Sequence, residues 1–521
     1  MGKVFNTTGT CYPDEHYMVN LETRLAAIKN LIDNHKYFVI NRARQYGKTT
    51  ILHALKGYLS KEYRVVFLDF QRMSSASFQN EFTFTKAFIK EFLRATKSWL
   101  PLQDTELNQS VSNPSESMDL PTLFEYLNNI CAISDKPLIL MIDEVDSASN
   151  NQIFLDFLAQ LRNCYLERKE TPTFQSVILA GVYDIKNLKL KIRPDEEHHR
   201  YNSPWNIAAD FDVNLSFSVD DIIGMLKEYE NDHKTGMNIT SLSREIHDYT
   251  NGYPYLVSYI CKIMDENYLH NQNAWTKEGI GDAIKKLMKE SNTLFDDMRK
   301  KITDFPQLRQ MLYDILFIGK SFPYNPDNYA IDMASMFGYI READGAVAIS
   351  NRIFEMRLYN LFISEEITNS STYNAALFHK NQFVIGNQLN MELILQKFVD
   401  HFTDVYSDND TRFIEENGRR LFLLYLKPII NGVGNYYIEA QTRDMKRTDI
   451  IIDYCGQQYI IEMKIWHGEE HNKRGEAQLI GYLENYHLKK GDLLSFNFNK
   501  KKHIGVKELH FGDKTIIEAV V

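Results

Sequence analysis

Hydrophobic and polar positions along this chain form two alternating textures. Tyr37-Phe38-Val39-Ile40 is apolar at every position, which predicts a short strand buried on both faces rather than one with a solvent side. Val65–Phe70, Leu138–Ile142 and Ser176–Gly181 read as further strands, with helix-like stretches between them. Strands that alternate with helices in this way predict a parallel sheet with helices on both faces. Helical patterns then dominate from about Val219 to Met298. Towards the C-terminus a helix-like segment, Phe413–Leu424, precedes two more apolar runs, Ile450–Ile452 and Tyr459–Ile461, with a turn at Cys455-Gly456 between them.

Polar stretches punctuate these elements. Pro101–Leu120 is rich in Ser, Asn, Gln and Asp and reads as a surface insertion between strands. Residues 305–365 read as a winged helix, with Ile331–Phe337 as its second helix and a wing around Asp344-Gly345. Such modules bind DNA in some proteins and pack against a neighbouring domain in others, and packing is the favoured role here. Glu365–Thr372, with Asn369, Ser370 and Ser371, reads as a linker.

Composition adds bounds. At 521 residues the chain exceeds one core, and three or four modules are expected. A hydrophobic share of 44% with 25% charge describes an ordinary globular protein. Cys11, Cys131, Cys164, Cys261 and Cys455 are scattered without C-x-x-C spacing, so reduced thiols in a cytoplasm are expected, and neither a disulfide scaffold nor structural zinc. No apolar run approaches the ~20 residues that span a bilayer, and Met1–Asn6 lacks a signal-peptide core, so no membrane partner is expected. The net charge of −10 weighs against gross nucleic-acid affinity. A local basic groove could still come from Lys500-Lys501-Lys502-His503 together with Arg443, Lys446 and Arg447.

Two places carry chemistry. In the first half, the strand ending at Ile40 runs through Asn41-Arg42-Ala43-Arg44-Gln45-Tyr46 into Gly47-Lys48-Thr49-Thr50 and a helix. This is the end of a P-loop, whose backbone N–H groups and helix N-terminus wrap phosphate. Lys48 would reach the β- and γ-phosphates of ATP, and Thr49 would offer its hydroxyl to Mg²⁺. Arg44, Gly47 and Thr50 complete the expected cradle, while Arg42 stands where the usual first glycine would be. Leu138–Ile142 leads into Asp143-Glu144, a Walker B pattern. There Asp143 would hold Mg²⁺ through water and Glu144 would polarise the attacking water. Tyr183 and Asp184 follow the fourth strand in the sensor position.

In the second half, Asp449 heads one apolar run and Glu462-Met463-Lys464 ends the next. On a strand, Glu462 and Lys464 point to the same face. Two carboxylates and an ammonium at one spot can hold Mg²⁺ or Mn²⁺, activate water and neutralise a phosphodiester transition state. Glu416 shares a helical stripe with Arg420 and Leu424, and Gln478 stands one helical turn before Tyr482. These four elements in order resemble the PD-(D/E)XK nuclease superfamily. His467-Gly468-Glu469-Glu470-His471 also fits the H-x-x-E-H zinc-protease pattern. Gly468 and the dense charge after it favour a loop there instead.

Taken together, the motifs resemble the AAA-ATPase-like family whose members carry a C-terminal PD-(D/E)XK domain. Tyr201–Trp205 and Thr250–Leu256 match further blocks of that family, the second resembling the Gly-x-Pro segment that starts the lid helices of signalling ATPases. The arginine-rich Arg-x-Arg-x-x-Gly-Lys loop is characteristic of the family, so Arg42 is compatible with a working site. The resemblance implies an α/β fold: a P-loop ATPase core over 1–235, a helical lid over 236–300, a winged-helix-like module over 301–365, a linker over 366–380 and a separate nuclease-like domain over 381–521. It implies that Asp449 and Glu462 bind the metal, Lys464 acts on water, Glu416 assists and Gln478 positions substrate. The implied partners are ATP and DNA or RNA, with a homo-oligomer compatible with the family. A nucleotide-gated regulatory or binding protein with an inactive nuclease fold remains the alternative.

Overall fold

The fold is that of a computed structural model, which describes residues 2–100, 118–148, 151–182, 205–268, 272–318, 320–367, 372, 376, 382–405, 415–430, 434–441, 447–455, 457–466, 469–497, 499 and 502–521. Its contacts divide the chain into two compact units: residues 1–247, 251–269 and 335–338, and residues 248–250, 270–334 and 339–521. Among the described residues no helix is long and apolar enough to cross a membrane.

The first unit is built on a parallel sheet of four strands: β1 (Phe38–Asn41), β2 (Arg64–Asp69), β3 (Leu138–Asp143) and β4 (Ser176–Gly181), in the order β1-β4-β3-β2. Every position of β3 and β4 is buried, because alternate residues enter separate cores on the two faces. Val66, Leu68, Leu140, Ile142, Val177 and Leu179 face one core, which holds Phe84, Phe88, Phe154 and Phe157. Val65, Ile139, Met141, Ile178 and Ala180 face the other, with Ile28 and Ile32 of helix α1 (Glu22–Asp33) and Leu52 and Leu55 of helix α2 (Lys48–Leu59). A strand with two apolar faces leaves no solvent side, hence the unbroken apolar runs in the sequence. Since the strands are parallel, Asn41, Asp143 and Gly181 end at the same edge of the sheet, where α/β folds place their ligands.

In the second unit, a helix at Tyr329–Met336 precedes a two-stranded hairpin, β5 (Ile340–Ala343) and β6 (Ala346–Ile349). The hairpin turns through Asp344 and Gly345, both at positive φ, as a tight two-residue turn requires. The helix after it runs from Arg352 to Ile367, so Glu365, expected to open a linker, is helical. The insertion expected at Pro101–Leu120 lies outside the described residues up to 117, and a helix begins at Leu120.

The short strands β7 (Val384–Ile385) and β8 (Gln388–Leu389) pair antiparallel, and the rest of the second unit surrounds a mixed sheet of six strands: β9 (Gly434–Gln441), β10 (Arg447–Tyr454), β11 (Gln457–Ile465), β12 (Lys490–Phe496), β13 (Gly505–Phe511) and β14 (Lys514–Val520), in the order β13-β14-β12-β11-β10-β9. The helices Met391–Val405 and Glu415–Ile430 pack on one face, where a Cβ at Gly418 would come within 2.4 Å of the Phe496 ring. The helix Glu469–Asn485 packs on the other, with Gly491 against Leu479 and Leu483. This last helix corrects one expectation. The charged run after His467 is not a loop: from Glu469 onwards it forms the first turns of a helix whose later apolar residues, Leu479, Tyr482 and Leu483, are buried. The helix before the strands is also longer than Phe413–Leu424 suggested, running to Ile430 with Pro428 inside it.

Asp492 of β12 is fully enclosed, and its Oδ1 has no hydrogen-bond partner among the described residues. Burial raises its pKa to about 7; Lys490 opposes the rise and Glu392 adds to it. The folded chain therefore retains a proton that the unfolded chain has released, and stability falls as the pH rises from about 4 to about 7. Asp492→Asn should be more stable than wild type at pH 8, by the order of a few kcal/mol, and the difference should vanish near pH 4. Urea unfolding of both proteins across that range checks this. Parallel curves for the two proteins would mean Asp492 is not held neutral.

Candidate functional site

The P-loop is shaped by its backbone first. Gln45 and Gly47 both take positive φ, 57° and 80°, turning the chain so that α2 starts at Lys48. Only glycine adopts that conformation without strain, which accounts for Gly47. Arg42, which replaces the usual glycine, points away from the cradle. Its guanidinium donates to the Phe211 and Val213 carbonyls, both at 3.1 Å, and lies 5.2 Å from the Phe211 ring centroid. The arginine thus pins the loop to the segment behind it.

Lys48 is 9% exposed, and its ammonium donates to the Arg42 and Ala43 carbonyls at 2.9 and 3.0 Å. Burial pulls its pKa down, while Asp146, Glu144 and Asp143 push back. The Thr49 hydroxyl donates to Asp143 Oδ2 at 2.7 Å, joining the start of α2 to the end of β3. Burial raises the Asp143 pKa, opposed by the bonds from Thr49 and the Glu144 N–H. Glu144 is raised by burial and then by Asp143. A hydroxyl, a carboxylate and a buried ammonium at a helix N-terminus suit a magnesium–polyphosphate, with Thr49 and Asp143 on the metal side and Lys48 on the phosphate side.

Other expected residues take different places. The Thr50 hydroxyl accepts the Cys11 N–H at 3.2 Å, so it faces the N-terminal segment. Arg44 is exposed, and its carbonyl accepts the Tyr253 hydroxyl. Tyr253 also meets the Tyr46 ring edge-on at 4.7 Å, and Tyr46 shares a 2.6 Å hydrogen bond with Ser216. Gly252, at φ 70°, donates its close approach: a Cβ there would lie 2.0 Å from the Phe217 carbonyl oxygen. Gly252-Tyr253 therefore buttresses the P-loop from behind, and the helix after it starts at Pro254. Tyr183, Asp184 and Tyr201–Pro204 lie outside the described residues.

Two acids near this site were not picked out from the sequence. Asp69 ends β2 in register with Asp143. Asp146 accepts the Val182 N–H at 2.6 Å. The available signal was the spacing Asp143-Glu144-Val145-Asp146, in which the second aspartate follows the pair by one residue.

In the second unit, Glu462 is completely buried and Lys464 Nζ lies 2.8 Å from its Oε1, so both side chains share one face of β11. Met463 between them is buried on the opposite face. A Cβ at Gly475 would sit 3.4 Å from Lys464 Cγ, so the lysine stem runs under the helix Glu469–Asn485 at a glycine. One turn further on, Gln478 Nε2 donates to the Tyr482 hydroxyl at 2.6 Å. β10 and β11 pair antiparallel, with Ile450 opposite Ile461, the residue before Glu462. The side chains of Asp449, Glu416, Arg447 and His471 lie outside the described residues, as do His467, Gly468, Arg443, Lys446, Lys500 and Lys501 altogether. Among the described residues no group of His, Cys, Asp or Glu is arranged to hold a metal.

A family model described as an AAA-like domain matches residues 14–360. No curated protein matches the chain in sequence. Solved structures similar to it include a Walker-type ATPase of Pyrococcus abyssi, 14% identical over 68% of this chain and 99% of that one, with a TM-score of 0.49. The ORC2 protein of Aeropyrum pernix, in its ADPNP–ADP complexes, is 12% identical over 66% of this chain and 93% of its own, with a TM-score of 0.39. The Cdc6p protein of Pyrobaculum aerophilum is 13% identical over 69% and 97%, with a TM-score of 0.34. The matched span 14–360 holds the P-loop, the Asp143-Glu144 pair and the whole four-stranded parallel sheet, and the chain belongs to the AAA-like domain family.

Proposed function

We propose that the first unit binds and hydrolyses ATP with Mg²⁺. The observation that carries this reading is the 2.7 Å bond between Thr49 and Asp143 beside the buried Lys48 ammonium. When bound, Mg²⁺ would draw charge from the β- and γ-phosphate oxygens. Thr49 would hold it through its hydroxyl and Asp143 through water. Lys48 would leave the Arg42 and Ala43 carbonyls for phosphate oxygens, a stronger, charge-assisted partner. Glu144, at the end of the same strand, would orient the attacking water and take its proton.

The second unit we read as a metal-dependent nuclease that cleaves DNA or RNA phosphodiesters, occupying roughly residues 381–521. Support comes from the Glu462–Lys464 pair on one strand face, at the end of β11 that pairs with β10 through Ile461 and Ile450. Asp449 and Glu462 would hold Mg²⁺ or Mn²⁺, Glu416 would assist, Lys464 would activate water and Gln478 would position substrate. The winged-helix-like module is assigned a packing role. Its helix Tyr329–Met336 carries no lysine or arginine, and Ala330, Ile331, Met333 and Ala334 are buried.

That helix and the net charge of −10 favour a second reading, a nucleotide-gated regulatory or binding protein without nuclease turnover.

Three outcomes check the assignments. Lys48→Ala should weaken ATP binding by roughly 10²-fold or more without unfolding the chain, as calorimetry would show, because the site's main phosphate counter-charge is gone. Glu144→Gln should bind ATP as wild type does yet turn it over about 10²-fold more slowly. For the second site, Asp449→Ala and Lys464→Ala should each abolish cleavage in matched Mg²⁺ and Mn²⁺ while leaving ATP affinity intact. Equal cleavage by wild type and both variants would remove the nuclease assignment. No cleavage by wild type on any DNA or RNA, with or without ATP, would favour the regulatory reading.

A further inference from the structure

The short turn that carries Glu144 is tied to the neighbouring strand by a side chain that the reaction outlined above does not use. β3 ends at Asp143, Glu144 takes a left-handed φ of 55°, and Val145–Ser147 close one 3₁₀ turn. The Ser147 N–H and hydroxyl both donate to the Glu144 carbonyl, at 3.1 and 2.9 Å. A non-glycine residue in that conformation costs of the order of 1 kcal/mol or more, and persists only where its surroundings fix it. So short a turn has little structure of its own to supply that constraint.

Asp146 supplies it. Its Oδ2 accepts the Val182 backbone N–H at 2.6 Å, just past the end of β4. A Cβ on Gly181 would lie 2.8 Å from Asp146 Oδ1 and 2.9 Å from Val145 Cγ2. The last residue of β4 must therefore be as small as glycine for the acid to close on it. The contact joins the Glu144 turn to the strand between β1 and β3, at the sheet edge where Lys48 and Thr49 stand. Asp146 also leads the carboxylates whose charge acts on Lys48.

We propose that Asp146 is a positioning residue for ATP hydrolysis: by accepting the Val182 N–H it locks the Glu144 turn against β4 and so holds the Glu144 carboxylate in its working orientation. This rests on the ATPase reading. Losing the bond leaves a backbone N–H without its acceptor and frees a strained turn, and small errors in the placing of a catalytic group cost large factors in rate. The effect belongs to kcat, because Asp146 bonds to the protein's own backbone.

The test compares Asp146→Ala, Asp146→Asn and Glu144→Gln in the full-length protein, measuring kcat and KM for Mg-ATP. Asparagine keeps a carbonyl oxygen for Val182 and removes only the charge. Asp146→Ala should lower kcat by about 10- to 100-fold with KM within about threefold of wild type, and Asp146→Asn should recover most of the loss. Wild-type kcat in Asp146→Ala would overturn the inference. So would an Asp146→Asn as slow as the alanine variant, since charge rather than the hydrogen bond would then matter. If the alanine variant fails to fold, the kcat of Asp146→Asn decides alone. Wild-type hydrolysis by Glu144→Gln would instead show that Glu144 is not the catalytic base, and no ATP turnover by the wild-type protein would overturn the ATPase assignment itself, whereas a slow Glu144→Gln beside a fast Asp146→Ala would sink only the role of Asp146.

Discussion

The hydrogen bond from the Thr49 hydroxyl to the Asp143 carboxylate forms because distant stretches of sequence end at one edge of a parallel sheet. Thr49 opens the helix after β1, and Asp143 closes β3, with β4 between the two strands in the sheet. That edge stays in place because both faces of the sheet are buried, each against its own apolar core. Polar groups at the end of such a sheet are held by backbone that cannot shift without disturbing the cores. Arg42, Tyr46, Gly252 and Tyr253 add a second layer that braces the P-loop. The result fixes the Lys48 ammonium, the Thr49 hydroxyl and the Asp143 carboxylate at one edge of the sheet.

The second unit uses a different device for its acid and lysine. Glu462 is completely buried, and an isolated carboxylate there would be costly. Lys464, two residues on along the same strand, meets it at 2.8 Å, and Gly475 leaves room for the lysine stem beneath the helix. The pairing is local and needs only strand geometry. Its neighbour Asp492, one strand over and on the opposite face, has no such partner, and burial raises its pKa to about 7 instead.

Much of this was legible in the sequence. Unbroken apolar runs such as Leu138–Ile142 announce strands covered on both faces, and Gly47-Lys48-Thr49 and Asp143-Glu144 mark two stretches that the fold brings to one edge of the sheet. The same-face pairing of Glu462 and Lys464 follows from the two-residue period of a strand. Other features depended on tertiary context. Arg42 reads as a departure from the glycine pattern, and only the carbonyls of Phe211 and Val213 give it a task. Glu469–Arg474 reads as a charged loop because its apolar residues come later, and the helix is set by packing beyond it. Asp146 looks like one acid among several, since its partner is a backbone N–H more than thirty residues away.

The central claim is that Thr49 and Asp143 form the metal side of a nucleotide site. It is tested most directly by measuring ATP affinity with and without Mg²⁺ for wild type and for Thr49→Val, which keeps the shape of the side chain and removes its hydroxyl. The account predicts that Mg²⁺ tightens ATP binding to wild type and that most of this gain disappears in Thr49→Val, while affinity without Mg²⁺ is similar in the two. Equal Mg²⁺ dependence in both proteins, or no ATP binding by wild type, would contradict it.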